Sequence, residues 1–324
     1  MRNAFFDALM KIAEENEQVY LLVGDLGFGV VEPFAKKYSK RYLNPGVAEQ
    51  NMTGIAAGIA LSGKTVFTYS IGNFPTIRCL EQIRNDVCYH KANVKIVSVG
   101  GGYAYGSLGM THHAIEDLAI MRSLPEMTVV APGDPIEAEY ATRAVVERTG
   151  PCYLRLGRAG EPVVHNGKIE FTLGKALELF KGTDITLIST GGILKLVAEL
   201  RERLLRDNIN ARVLSMHTLK PLDTEAILSA ARETEAIFAI EEHSIIGGLG
   251  GAVAEVLAES NLPKVHFKRF ALPSVYTTIV GDQDYLRKIQ GLTVEKMLKD
   301  IKQIIGHKKP MINSGADVKK YKEG

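Results

Sequence analysis

Cysteine is scarce in this chain. Cys79, Cys88 and Cys152 are the only three among 324 residues. Their odd number and wide spacing exclude a disulfide framework and the paired spacing of a structural zinc site. Buried thiols in a reducing cytoplasm are the expectation. A charge of one sign is lacking too: Lys plus Arg is 39 and Asp plus Glu is 37. That balance argues against a broad nucleic-acid surface, which needs a basic excess. No apolar run reaches the length of a membrane span. The N-terminal stretch MRNAFFDALMKIAEEN lacks a long apolar core and a small-residue cleavage site, so it reads as an amphipathic helix rather than a signal peptide. What remains is 46% hydrophobic and 23% charged, the composition of a soluble globular protein, with a length that suggests two domains.

Short apolar runs alternate with helical stretches. VYLLV (19–23), TVFTYS (65–70), VKIVSV (94–99), TVVAP (128–132) and CYLRL (152–156) read as strands, with helices between them that include 76–90 and 114–123. Continuous apolar strands separated by helices predict a parallel sheet covered on both faces. A polar, strandless passage, GRAGEPVVHNGKIEF (157–171), follows. A second series then begins: ITLIST (185–190), ARVLSM (211–216), AIFAIEE (236–242) and VHFKRF (265–270), with helices near 192–206, 223–232, 248–260 and 293–305. The fold class is therefore α/β in two domains, each with a mostly parallel sheet. The division reads as a first domain over 1–160, a linker over 161–180, a second domain over 181–306 and a mobile tail over 307–324. In open α/β sheets ligands sit beyond the carboxyl ends of the strands. Asp25, Tyr69-Ser70, the glycines at 100–102 and the segment from Arg155 to Arg158 all fall there.

Glu49 stands out within NPGVAEQNMTGIAAGIA (44–60). It follows a Pro-Gly loop and opens a helix whose Met52, Ile55, Ala56, Ile59 and Ala60 share one face. Two readings are open. The acid complements the positive end of the helix, or it faces an apolar pocket where desolvation keeps it protonated and able to donate a hydrogen bond. The glycine clusters at 191–192 and 247–251 match neither dinucleotide nor P-loop spacing, since Val253 stands where a third glycine is required. They read as tight strand-to-helix turns. His112 and His113 are adjacent, so they point in different directions and lack partners at metal-ligand spacing; His112 reads as structural or substrate-binding. Phe74 is either core packing or a platform for a flat ring. His243, at a strand end after Glu241-Glu242, could join an interdomain site.

Six segments then carry a resemblance: GDLGFG (24–29), NPGVAEQNMTGIAAGIAL (44–61), YSIGNFPTIRCLEQIRNDV (69–87), GSLGMTHHAIEDLAIMRSLPEMTVVAPGDPIEA (106–138), YLRLGRAG (153–160) and EEHSIIGGLGG (241–251). In this order they resemble the C-terminal half of transketolase, namely the pyrimidine-binding and C-terminal domains of thiamine-diphosphate enzymes. The chain is also similar to 1-deoxyxylulose-5-phosphate synthase and, more distantly, to the β chain of 2-oxoacid dehydrogenase E1. The family's diphosphate-binding domain carries a GDG…NN motif, which Gly24-Asp25-Leu26 and a lone Asn51 do not complete. The resemblance therefore implies one subunit of a split transketolase, active as an α2β2 assembly, whose partner holds Mg2+ and the diphosphate of thiamine diphosphate.

By resemblance, Glu49 hydrogen-bonds the cofactor's aminopyrimidine ring and promotes its imino form. Phe74 stacks on that ring, and Asp25 lies near the thiazolium. His112 contacts the substrate and assists proton transfer, and Arg158 binds the phosphate of a sugar phosphate. No metal ligand is expected in this chain. The implied reaction is transfer of a two-carbon ketol unit between sugars. Three departures concern the substrate: Leu108 replaces an Asp and Gly100 a His of transketolases, and Gly101 replaces an Arg of the synthase branch. They imply an unusual sugar. The rival readings are a subunit of a decarboxylating thiamine-diphosphate enzyme and a non-catalytic scaffold.

Overall fold

The structure is a computed structural model that describes residues 1–306; the expected tail at 307–324 lies outside the described residues. Two sheets organise the chain. The first comprises β1 (Val19–Val23), β2 (Tyr42–Leu43), β3 (Thr65–Ile71), β4 (Val94–Val99), β5 (Thr128–Val130), β6 (Cys152–Leu156) and, from much later in the chain, β10 (Thr218–Lys220). The second comprises β7 (Leu177–Phe180), β8 (Ile185–Thr190), β9 (Ala211–Ser215), β11 (Ala236–Ser244) and β12 (His266–Leu272). The first sheet runs β10-β5-β6-β4-β3-β1-β2 and the second β12-β11-β8-β9-β7. All pairings are parallel except β10 on β5 and β7 on β9.

The apolar runs become strands because helices cover both faces. Every residue of β4 is buried, as parallel sheets require. On one face Phe5, Phe6 and Leu9 of the helix Arg2–Glu15 meet Phe67 and Tyr69 of β3. On the other, Met52, Ala56 and Ala60 of the helix Glu49–Leu61 pack with Ile83 and Val87. That second cluster continues into Met216, Ile227 and Ala239, so the two sheets share one apolar core. Among the described residues, no helix is long and apolar enough to cross a membrane.

Several details differ from the sequence reading. Residues 177–180, counted there with the linker, form the edge strand β7. The helix read from 114 begins at Asp117, because Ala114 pairs instead with Gly102. The stretch 76–90 is not one uniform helix: Ile77–Cys79 is a 3-10 turn, Leu80–Gln82 is α and Ile83–Tyr89 is π-wound. The linker is pinned rather than loose. Asp134, which caps the helix Pro135–Glu147, also accepts the N–H groups of Val164 and His165 at 2.8 and 3.0 Å. His165 Nε2 lies 2.7 Å from Glu137 Oε1, and Phe171 stacks on His217 with ring centroids 3.9 Å apart.

Two histidines, His165 in the linker and His217 against it, respond oppositely to pH. Burial lowers the His165 pKa, but the hydrogen bond and charge of Glu137 outweigh it and leave that pKa raised. Its stabilising contribution is therefore complete below the unfolded value, about 6.5, and is lost as pH rises through the folded one. Burial pushes His217 down to about 4. Its contribution is present above about 6.5 and is lost as pH falls towards the folded value. His217→Phe keeps the stack and removes this titration. Between pH 6.5 and pH 4.5, the variant's thermal midpoint should fall less steeply than that of the wild-type chain. The ceiling of the effect is about 3 kcal/mol. Parallel melting curves would exclude His217 as the cause.

Candidate active site

The order of the first sheet creates one crevice. From β1 the chain crosses to β2 on one side and then to β3 on the other. The direction of winding reverses at the carboxyl end of β1, and such switch points are where open α/β sheets bind ligands. Gly24 follows β1 there, Ser70 lies near the end of β3, and the loop 44–48 delivers Glu49 between them. The Glu49 residue is only 1% exposed. Its Oε1 accepts the Ser70 hydroxyl at 3.0 Å, and its Oε2 accepts Arg78 Nη1 at 2.7 Å. A methyl group on Gly24 would come within 3.2 Å of the carboxyl and 3.3 Å of Ser70 Oγ, so glycine gives the side chain its room. Burial raises the neighbouring Cys79 thiol to about 11, which leaves it protonated rather than nucleophilic.

The same arginine joins Glu49 to Phe74. The Arg78 guanidinium lies 4.4 Å from the centroid of the half-buried Phe74 ring, in a cation–π contact. The other neighbour of Phe74 is His112, edge-on at 5.1 Å between centroids. Burial lowers the His112 pKa, and its Nδ1 lies 3.0 Å from Thr111 Oγ1. Asn73 Nδ2 donates to the His113 carbonyl at 2.8 Å, tying the Phe74 turn to the histidine loop. Asp25 is on the same rim, exposed, with φ of 53°, and accepts Asn44 Nδ2 at 2.9 Å.

The structure thus brings Glu49, Phe74 and His112 into one chain of contacts through Arg78. Arg158 is engaged elsewhere. Its Nη1 approaches the Ala104 carbonyl at 3.4 Å, and it lines a cleft of about 550 Å³ with Lys195 and Arg287 of the second sheet's helices. His113 and His243 serve the scaffold. The His113 ring lies against Tyr103 at 4.9 Å, while His243 Nε2 accepts the Ala119 N–H at 3.3 Å across the interdomain boundary. Among the described residues, no group of three or more His, Cys, Asp or Glu is placed to hold a metal ion.

Sequence reasoning missed Arg78, although it lies inside a segment that carries the resemblance. No spacing rule marks an arginine that reaches back from a 3-10 turn to a carboxylate 29 positions earlier. The structure also explains two departures on the histidine loop. A methyl group at Gly100, whose φ is +95°, would come within 2.2 Å of the Tyr105 ring, and one at Gly101 within 2.7 Å of Arg155. Larger side chains already occupy that space, so neither a histidine at 100 nor an arginine at 101 fits. Leu108 is 54% exposed and presents an apolar surface beside the loop tip.

A model of the transketolase pyrimidine-binding domain matches residues 1–161, and one of the transketolase C-terminal domain matches residues 174–297. The chain belongs to the transketolase family. It is 41% identical to a subunit of the apulose-4-phosphate transketolase of Phocaeicola vulgatus over 264 residues, 81% of this chain and 85% of that one. A 6-deoxy-6-sulfo-D-fructose transketolase subunit SqwH of Clostridium sp. strain MSTE9 is 36% identical over 309 residues, 95% of each chain. A solved split-gene transketolase, described as an inactive β4 tetramer, superposes with a TM-score of 0.85 at 36% identity over 95% of this chain and 98% of that one. In this transketolase-family chain the buried carboxylate and the arginine form an ion pair at 2.7 Å. Arg78→Met should lower stability to urea at neutral pH by about 1–3 kcal/mol, because a buried acceptor loses its donor. A double-mutant cycle with Glu49→Gln should give a coupling of at least about 0.5 kcal/mol. Additive effects would mean that the two side chains do not interact in solution.

Proposed function

We propose that this chain is the pyrimidine-binding subunit of a split transketolase. It would transfer a two-carbon ketol unit between sugars or sugar phosphates with thiamine diphosphate, in an α2β2 assembly. The observation that carries the reading is the buried Glu49 carboxyl at the switch point, with the face of Phe74 beside it. This half-site fits the aminopyrimidine end of the cofactor: one flat apolar face and one buried acid. When bound, thiamine diphosphate supplies a nucleophilic carbon and an electron sink for carbon–carbon bond cleavage. Glu49 would hold the aminopyrimidine through its ring nitrogen and share a proton there, with Ser70 fixing the carboxyl's rotamer. A ring stacked on Phe74 and bonded to Oε2 would take the place of the Arg78 guanidinium, whose side chain is 43% exposed and has solvent to swing into. Asp25 would face the thiazolium side.

His112, kept neutral near pH 7 by its burial-lowered pKa, would accept or return a proton at a substrate hydroxyl. Arg158 would bind the phosphate end of the sugar. The partner subunit would supply the diphosphate-binding domain with its Mg2+. Exposed apolar residues on the rim loops, Phe28 at 76% and Val47 at 71%, suit a surface that another polypeptide covers. The packed glycines at 100 and 101 and the apolar Leu108 support a sugar outside the ordinary pentose phosphates, as do the substrates named for two relatives.

Co-expression with a chain carrying the GDG…NN motif tests this reading. The complex should bind thiamine diphosphate in calorimetry and transfer a ketol unit from apulose 4-phosphate faster than from xylulose 5-phosphate. Glu49→Gln should assemble normally and lose about 10²-fold or more in kcat. Arg158→Ala should raise KM for phosphorylated donors with little change in kcat. Full turnover by this chain alone would refute the split arrangement. Release of carbon dioxide from pyruvate without ketol transfer would favour the decarboxylating alternative, and a fully active Glu49→Ala complex would favour the scaffold.

A further inference from the structure

The loop that carries His112 is held by the second domain. Between β4 and the helix Asp117–Ser123 the chain makes an excursion closed at its neck. There the Gly102 N–H donates to the Ala114 carbonyl at 2.7 Å, and the Ala114 N–H returns to the Gly102 carbonyl at 3.1 Å. Glu242, near the end of β11 in the second sheet, sits directly beneath this neck. Its residue is 4% exposed, and its Oε1 accepts the Tyr103 N–H at 2.6 Å. A methyl group on Gly102 would come within 2.6 Å of that carboxyl, so there is no slack between neck and clamp.

The clamp is itself braced. Gln283 Nε2 donates to both Glu242 oxygens at 3.0 and 2.9 Å, and Arg287 donates to Oε2 from Nε at 2.8 Å and again from Nη2. Arg155 ties the same corner from the other side. Its Nη2 donates to the Ala114 carbonyl at 2.8 Å and to the Glu242 carbonyl at 3.1 Å, while its Nε holds Asp117 at 2.8 Å. Further along the loop, Tyr103 Oη meets Thr277 Oγ1 at 2.7 Å, and a methyl group on Gly106 would collide with Leu286 at 2.5 Å. A buried carboxylate is tolerated only when its charge and lone pairs are met. Here two residues from the helix Gln283–Ile289 meet them, and the remaining capacity is spent on one backbone N–H of the loop.

We propose that Glu242 is a positioning residue for ketol transfer, through which the second domain fixes the loop bearing His112. Its carboxyl is taken up by Tyr103, Gln283 and Arg287. It holds Tyr103 and, through the closed neck, the path of residues 103–113. This inference rests on the reading of His112 as a substrate-contacting residue. It assigns the second domain a part in turnover that a mere appendage would not have.

Hydrogen exchange of the full chain tests the clamp without any partner. In Glu242→Gln a single acceptor oxygen faces donors from Tyr103, Gln283 and Arg287. Amides of 102–114 should then exchange at least tenfold faster than in the wild-type chain, while those of β1 and β3 stay unchanged. If that variant does not fold, Arg287→Gln, which leaves the carboxylate in place but braced by Gln283 without its charged partner, should give the same local pattern. In the complex with its partner, the loosened variant should bind thiamine diphosphate with an unchanged Kd. It should lose at least tenfold in kcat with apulose 4-phosphate or xylulose 5-phosphate as donor. Unchanged exchange over 102–114 would overturn the clamp. A loosened loop with full kcat, in a complex that His112→Ala does impair, would overturn the positioning role. Full activity of His112→Ala would instead remove the reading of His112 on which the role depends.

Discussion

One carboxyl group organises the candidate site. Glu49 is buried at the crevice where the first sheet reverses its winding, and both of its oxygens are hydrogen-bonded, to Ser70 and to Arg78. Isolating an ionised carboxylate from water is prohibitive unless it is paired, so the surroundings of Glu49 are specified rather than incidental. Gly24 leaves the side chain its space. Ser70 must be small and carry a donor. Arg78 must reach from the turn after Phe74, and its stacking on that ring fixes where the guanidinium lies. Residues from three separate segments are thereby tied to one acid, and each of those segments leaves the carboxyl end of a strand or opens a helix beside it.

The second constraint is the union of the two sheets. β10 belongs by sequence to the second series of strands, yet it completes the edge of the first sheet on β5. The apolar core runs from Leu22 and Met52 through to Ile227 and Val253 without a break. At the polar end of the same boundary, Arg155, Asp117 and Glu242 form a buried network, and Glu241 caps the helix Leu249–Glu259 by accepting the N–H groups of Leu249 and Gly250 at 2.8 Å each. The linker adds its own anchors in Asp134, Glu137 and His217. A boundary with a continuous core and charged groups paired across it resists hinge motion. The geometry of the rim therefore depends on residues more than a hundred positions away, as with Tyr103 and Glu242.

Much of this architecture is legible in the residues. The strands VYLLV, VKIVSV, CYLRL and ITLIST have the bounds expected of them, because a run apolar on both faces leaves little freedom once helices cover the sheet. Glu49 stands out in its segment as an acid opening a helix, and the structure buries it there. What is hidden has a common cause. β10 is only three residues long, and β7 is an antiparallel edge strand of mixed character; neither carries a periodic signal. The pairings of Arg78 with Glu49, of Arg155 with Asp117 and of Glu242 with Tyr103 join distant positions, and a single sequence does not encode proximity. Of the two readings of Glu49, the helix-dipole one is incomplete. The side chain does sit at a helix start, but as an acceptor for Ser70 and Arg78 rather than as a bare complement to the helix dipole.

The proposed cofactor half-site and sugar half-site are constrained in different ways. Around Glu49 each neighbour is constrained by charge pairing and by the 3.2 Å approach to Gly24, so a substitution there disturbs a buried ion. Around Gly100 the constraint is volume, since the Tyr105 ring fills the space another side chain would need; at Gly101 the space is held by Arg155, itself paired with buried Asp117. In the proposed reading, the filled space beside Gly100 would change which hydroxyl or phosphate a sugar can present, and a site not built to bond a given hydroxyl discriminates weakly for or against it. Specificity would then come from loop residues such as Leu108 and from the cleft lined by Arg158. On that same proposed reading the acid at the switch point would be common to every substrate, because it would act on the coenzyme rather than on the sugar.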